Sequence, residues 1–271
     1  MEIRYSILDP TGNITALVES EVEQKQRQEA AAAIMRLHPE VEQVGFLHSA
    51  GADGLPTIAM AGGEFCGNAS MCAAALLKLR GECGDMVRLH VSGTTQPVEV
   101  SLRHTAAAAF SAELQMPPAL EITERDFTFE KLQGALPLVR MEGISHIIIE
   151  SASPFFMLLS DRPAAECAVR RFCEELGADG LGLLFLEGEG SERRMTPLVF
   201  IPGSSTVFWE NSCASGSAAV GMYLADQKAA AVSVLLHEPG GDLLVSSDRN
   251  AGLTRLRGRV RRLVQGVTIP A

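Results

Sequence analysis

An α+β fold built from two similar domains is predicted by three features of the sequence. Short runs rich in β-branched residues, punctuated by Gly and Pro, dominate the chain. Only four stretches carry the composition and spacing of helices. A faint internal repeat lays the second half over the first. In the register that superimposes Cys66 on Cys213, "CGNAS" (66–70) falls on "CASGS" (213–217), and "VRLHVSG" (87–93) falls on "VLLHEPG" (234–240).

The chain opens with two strand-like runs, 2–8 and 13–18, parted by the turn formers of "DPTG". An Ala-rich helical stretch over 21–37 follows, then a strand over 42–48. A second helix is expected over 68–80, where Ala and Leu crowd together, and strands over 86–92 and 97–103 complete the first half. The prolines of "QMPP" (115–118) interrupt the strand pattern and mark the boundary between domains 1–117 and 118–271. The second half repeats the plan with strands at 144–150, 181–186 and 196–201, helices at 161–176 and 215–229, and strands at 231–237, 242–247 and 254–264. Its last strand is expected to pack back on the first half. No long linker appears, so the halves should sit close together across a cleft.

At 271 residues and 46% apolar content the chain can bury substantial cores. Its net charge of −10 argues against a nucleic-acid binder, which needs a basic surface to displace counterions. The exception, "RLRGRVRR" (255–262), alternates Arg255, Arg257, Arg259 and Arg261 with Leu256, Gly258 and Val260, and reads as the solvated face of a strand. No run approaches the ~20 apolar residues of a membrane span, and the N-terminus has no leader pattern, so a soluble cytoplasmic protein is expected. In that compartment the six cysteines should be free thiols. Neither Cys66 with Cys72 nor Cys167 with Cys173 has zinc-knuckle spacing, and no metal is expected.

Cys66 and Cys213 each stand just before a helix, followed by small residues: Gly67, Asn68 and Ala69 in one case, Ala214, Ser215 and Gly216 in the other. Asn68 and Ser215 suit an N-cap. A helix N-terminus favours thiolate over thiol and offers free amides to a carboxylate. Two such termini turned to one cleft would grip a carboxylate while presenting a sulfur to each face of the adjoining carbon. That is the requirement for a two-base racemase: one thiolate removes the α-hydrogen and one thiol returns a proton from the opposite face. Glu64 and Glu210 lie near the thiols and are placed to tune them. A pyridoxal cofactor would need a Schiff-base lysine. Lys25, Lys78, Lys131 and Lys228 all lie in helical or solvent-facing runs, so no cofactor is expected.

At these residues the sequence resembles the diaminopimelate epimerase-like family of cofactor-independent amino-acid racemases and epimerases. The family's first motif, Cys-Gly-Asn-Gly-x-Arg-Cys, reads "CGNASMC" here, and its second, Cys-Gly-Thr/Ser-Gly, reads "CASG". The resemblance covers nearly the whole chain and implies a layout in which each domain wraps a mostly antiparallel strand layer around a central helix. It implies Cys66 and Cys213 as the acid/base pair, and Gly67, Asn68, Ala69, Ala214 and Ser215 as binders of the substrate's backbone end. Asn13, in "PTGN", and Gln43, in "EQVGF", match further substrate-binding positions.

The departures bear on the substrate. The family's Glu-Arg pair before the second cysteine is replaced by Trp209, Glu210 and Asn211, and no arginine lies between Pro202 and Cys213. The Gly-Asn-Pro-His segment reads "GISH" (143–146). A dicarboxylate would lack its fixed cation. The combination of "PTGN", "EQVGF", "GGEFCGNAS", "WENSCASGSA" and "HEPGG" resembles the histidine racemase branch, whose members supply D-histidine for opine-type metallophores. Glu210 is then the candidate contact for an imidazole or ammonium, and a homodimer is expected. The alternatives are an epimerase of diaminopimelate or another amino acid and, from a different class, a non-catalytic small-ligand-binding or thiol-sensing scaffold. Cys72 is read as core, His90 and His237 as structural histidines, and His146 as a strand anchor held by hydrogen bonds.

Overall fold

A computed structural model of the protein describes residues 2–48 and 53–270. The chain forms two compact units, one holding the residues up to Gln115 together with those from Arg257 onward, the other spanning Met116–Leu256.

In the first unit, β1 (Glu2–Pro10), β2 (Thr15–Val18), β3 (Gln43–His48), β4 (Thr57–Met60), β5 (Met86–Val91), β6 (Val98–Ala106) and β7 (Ala109–Met116) follow one another across the sheet. Pairing is antiparallel except between β2 and β3 and between β4 and β5. A parallel pair needs a crossover rather than a tight turn. Here α1 (Arg27–Leu37) bridges the first such pair and α2 (Gly67–Leu79) the second. The last strand, β16 (Leu253–Pro270), enters this unit at Arg257 and runs antiparallel to β1, with Asp9 opposite Arg261 and Pro10 opposite Val260.

The second unit repeats this logic. Strands β8 (Glu121–Phe129), β9 (Leu132–Met141) and β10 (Ile144–Glu150) pair antiparallel, then β10 runs parallel to β11 (Leu181–Glu187) with α3 (Arg162–Leu176) as the crossover. β12 (Glu192–Ile201) is antiparallel to β11 and to the short β13 (Thr206–Trp209). It is parallel to β14 (Val232–Glu238), reached through α4 (Ala214–Lys228), and β14 turns into β15 (Gly241–Asp248). The repeat legible in sequence is therefore a repeat of topology.

Two kinds of helix result. α1 and α3 each cover one face of strands, α1 over Tyr5, Ile7, Val18 and Phe46, and α3 through Val169 and Phe172 over Ile147, Leu183 and Phe185. α2 and α4 are buried on all sides, from Gly67 to Leu77 and from Ala214 to Ala225. A helix without a wet face must be apolar or small all round, which accounts for their Ala, Ser and Gly content. Within its own unit α2 packs against β1, β2, β4, β5 and β6, and α4 against β9, β10, β14 and β15. Gly221 permits one approach, since a Cβ there would lie 2.4 Å from Val245 Cγ1.

The sequence reading omits β4, β7, β8, β9 and β13. It starts the first helix too early as well, because Gln24–Gln26 form a separate 3-10 turn before α1. Arg255, Arg257, Arg259 and Arg261 do lie on the exposed side of β16, where Arg257 pairs with Glu113 and Arg261 with Asp9. No helix among the described residues is long and apolar enough to cross a membrane.

Candidate active site

In the first unit a turn sets the stage. Thr11 adopts a left-handed conformation (φ 62°) and its hydroxyl bonds both the carbonyl and the amide of Arg259, while Gly12 N–H donates to Asp9 Oδ1 at 2.6 Å. The turn is thus pinned to β16, and it delivers Asn13 into the interior at 1% exposure. Asn13 Nδ2 donates to Glu42, and its Oδ1 has no hydrogen-bond partner among the described residues.

A chain of bonds then runs from Asn13 to the sulfur. The Thr15 hydroxyl donates to the Asn13 carbonyl at 3.0 Å, Gln43 Nε2 donates to Thr15 Oγ1 at 2.8 Å, and the Cys66 thiol donates to Gln43 Oε1 at 3.0 Å. Three predicted site residues, Asn13, Gln43 and Cys66, are gathered by a fourth, Thr15, that sequence reasoning missed. Cys66 is itself the N-cap of α2: its sulfur accepts from Ala69 N–H at 3.3 Å and its carbonyl accepts from the Ser70 hydroxyl at 2.7 Å. Asn68 is therefore not the cap, and the Ala69 amide serves the sulfur. Gly67, Asn68 and Ala69 are all buried in the first turn. Gly93 braces the segment in front of Cys66, since a Cβ there would lie 2.3 Å from Phe65 N. The Glu64 carboxyl is pushed up by burial, and its Oε2 has no hydrogen-bond partner among the described residues. Cys72 lies fully buried in α2, as a core residue should.

The second unit has a counterpart. Cys213 caps α4, its sulfur accepting from Gly216 N–H at 3.4 Å and lying 3.6 Å from Ser215 Oγ. Here too the sulfur, rather than Ser215, is the cap. A Cβ on Gly216 would meet Leu184 Cδ2 at 2.7 Å and Cys213 Sγ at 3.1 Å, so glycine is required for the sulfur to sit where it does. The turn after β14 braces the approach to Cys213, as Gly240 N–H donates to the Asn211 carbonyl at 2.7 Å. Ala214 and Ser215 are buried in the first turn of α4.

Electrostatics separate this half from expectation. A helix N-terminus lowers a thiol pKa, yet that of Cys213 is driven well up, first by burial and then by the nearby carboxyls of Glu210 and Glu238. Glu210 hydrogen-bonds the thiol itself. Glu238 was absent from the sequence reading. The repeat offered a signal, since Glu238 stands where the first half has Val91.

One other expectation is corrected. His146 is not held by hydrogen bonds: it is fully buried, neither ring nitrogen has a partner among the described residues, and burial pushes its pKa down to about 3. It packs against Gly182, where a Cβ would lie 2.3 Å from Nδ1. Trp209 adjoins Glu210 in sequence but faces the other way. It stacks on Phe185, donates to Glu166 and lies under the Arg162 guanidinium, all on the α3 side of the sheet. His90 and His237 are half-buried and bond Asp53 and Asp242. No metal-holding group of His, Cys, Asp and Glu occurs among the described residues.

Known proteins resemble this chain in sequence and in fold. The family described as histidine racemase CntK N-terminal domain matches residues 2–267. A histidine racemase from Fusobacterium nucleatum is 30% identical over 238 residues, spanning 83% of each chain. One from Staphylococcus aureus is 28% identical over 273 residues, spanning 97% of this chain and 96% of that protein. Among solved structures, a hydroxyproline epimerase from Agrobacterium vitis with bound trans-4-hydroxy-L-proline superimposes with a TM-score of 0.70 at 12% identity, over 100% of this chain and 92% of that one. At that identity the likeness establishes the fold. Matched over nearly its whole length, the chain belongs to the histidine racemase family.

Proposed function

We propose that the protein is a cofactor-independent racemase that interconverts L- and D-histidine, with Cys66 and Cys213 as the two bases. One observation carries the reading: each unit seats a cysteine as the N-cap of a buried helix, with small residues behind it. In the racemase reading, one of these cysteines is assigned to each face of the substrate's α-carbon.

In one direction a thiolate takes the α-proton and the opposing thiol gives its proton to the other face. The two sulfurs end with protonation states exchanged, ready for the other enantiomer. General-base help contributes only about 10²–10⁴-fold. The larger part comes from amides of Gly67, Asn68, Ala214 and Ser215 stabilising the carboxylate as it becomes enolate-like, with water excluded. The Oδ1 of Asn13 is an acceptor for the α-ammonium. Gln43 can serve Cys66 in both states, its carbonyl accepting from the thiol and its amide N–H, after rotation, donating to the thiolate. Glu210, hydrogen-bonded to the Cys213 thiol, is the candidate contact for an imidazole. Every step is a proton transfer.

The finer layout follows the same reading: domains 1–117 and 118–271 of the diaminopimelate epimerase-like kind, the last strand returning to the first, and a cytoplasmic homodimer. The test is incubation with individual L-amino acids in D₂O, recording optical rotation and loss of the α-proton signal. Histidine should racemise, and Cys66→Ser and Cys213→Ser should each abolish turnover. Turnover of diaminopimelate without histidine, or full activity in either serine variant, overturns the proposal.

A further inference from the structure

The second half-site contains a buried acid that the proposed chemistry does not use. Glu238 ends β14 at 7% exposure, and it reaches across to the start of α4. Its Oε2 accepts from the Cys213 backbone N–H at 2.7 Å, and its Oε1 is bonded to the Ser217 hydroxyl one turn further on. The carboxyl thus holds both ends of the turn that carries the sulfur. In the first half-site the matching position is Val91, a buried apolar residue that can do neither thing.

We infer that Glu238 is a positioning residue for racemisation: its two bonds seat the α4 N-terminus, and its charge sets how readily Cys213 becomes a thiolate. The inference rests on the two-thiol reading above. As a neutral acid, Glu238 leaves a Cys213 thiolate with donors around it, the Gly216 amide and the Ser215 hydroxyl. As a carboxylate, it confronts the thiolate with a second buried negative charge, and like charges in low dielectric do not ionise together. The groups around the pair sharpen this competition. Glu210 adds negative charge and acts on both Cys213 and Glu238. The face of β10 turned to α4 carries His146, which burial keeps neutral. From β15, α4 meets Val245 and Ser247, which carry no charge. Burial, with the charge of Glu210, lifts the Glu238 carboxyl to about 8, while Cys213 is driven well up, so the carboxylate forms first and opposes the thiolate.

The experiment titrates Cys213 in the full-length protein, following the alkylation rate of its peptide by mass spectrometry against pH. Glu238→Gln keeps an acceptor for the Cys213 amide and removes the charge. It should lower the Cys213 midpoint by about one unit or more. Ser217→Ala, which removes a donor that favours the charged carboxyl, should move the midpoint the same way by less, and it serves if Glu238→Gln fails to fold. In parallel, kcat in the direction that uses Cys213 as base should rise to its plateau at lower pH in Glu238→Gln than in the wild type or Glu238→Asp. A Cys213 midpoint unmoved by either variant overturns the inference. Alkylation needs no turnover, so this outcome is distinct from failure of the racemase reading, which absence of histidine turnover in the wild type would reveal.

Discussion

Gly216→Ala separates the needs of the α4 helix from those of its sulfur. In a helix interior, Gly→Ala ordinarily stabilises by about 1 kcal/mol through backbone entropy. At position 216 the added methyl would lie 2.7 Å from Leu184 Cδ2 and 3.1 Å from Cys213 Sγ. The Leu184 methyl is the far end of a side chain and can give way, at the cost typical of overpacking, about 1–3 kcal/mol. The two terms nearly cancel, so the net loss of stability should be within about 2 kcal/mol. The sulfur has no such freedom, because it is fixed by the Gly216 amide and by Ser215. Displacing a proton-transfer atom by about 1 Å can cost about 100-fold in rate, so a shift of a few tenths should lower kcat at least several-fold. Urea denaturation and histidine racemisation on the same preparation give both numbers. In the first half-site the equivalent residue is already Ala69, so the requirement is particular to Cys213. A Gly216→Ala protein that gains stability and keeps its full kcat would falsify the reasoning.

Thr15→Val removes the hydroxyl that ties Gln43 to Asn13. The loss of a buried hydrogen bond should cost about 1 kcal/mol of stability and lower kcat at least several-fold, read from the same two assays. Gly221→Ala forces a methyl to within 2.4 Å of Val245 Cγ1 and should lower the urea midpoint, by about 1–3 kcal/mol in stability; an unchanged midpoint would mean that α4 and β15 are not in register as described. His146 contributes a pH dependence of known sign. Burial depresses its pKa from 6.5 to about 3, so the unfolded chain binds the proton first. Stability attributable to this group is present above pH 6.5 and declines as pH falls to about 3, by up to about 1.4 kcal/mol per unit. His146→Leu should flatten that acid limb in denaturation series taken from pH 7 to pH 4, and a limb of undiminished slope would contradict the burial argument.

α3 was the most legible helix because both its ends are punctuated. α3 begins at Asp161 with Pro163 in its first turn and ends at Gly177 in a left-handed conformation, all standard signals. The strands were uneven. β4 has only four residues, and β7 buries Phe110, Ala112, Leu114 and Met116 without a single β-branched residue. β8 sets charged residues before its buried Phe127 and Phe129, and Pro137 interrupts β9, so neither reads as a plain strand. At the site, local signals located both sulfurs but misassigned their caps, since Asn and Ser are ordinary caps and a thiol is a weak acceptor. What sequence proximity could not supply was the company each sulfur keeps. Thr15 works through Gln43, and Glu238 arrives from a strand 25 residues beyond Cys213. Trp209 adjoins Glu210 in sequence, yet strand alternation sends its ring to the α3 side.

The two-thiol account is tested most directly by where solvent deuterium first appears when L-histidine is turned over in D₂O. With one base on each face, the abstracted proton and the returned deuteron belong to different sulfurs. At early times the D-histidine formed should carry deuterium at Cα while the remaining L-histidine keeps its hydrogen. Deuterium entering the L-histidine pool as fast as the product would mean that a single group serves both faces, and Cys66 and Cys213 would lose their assigned roles.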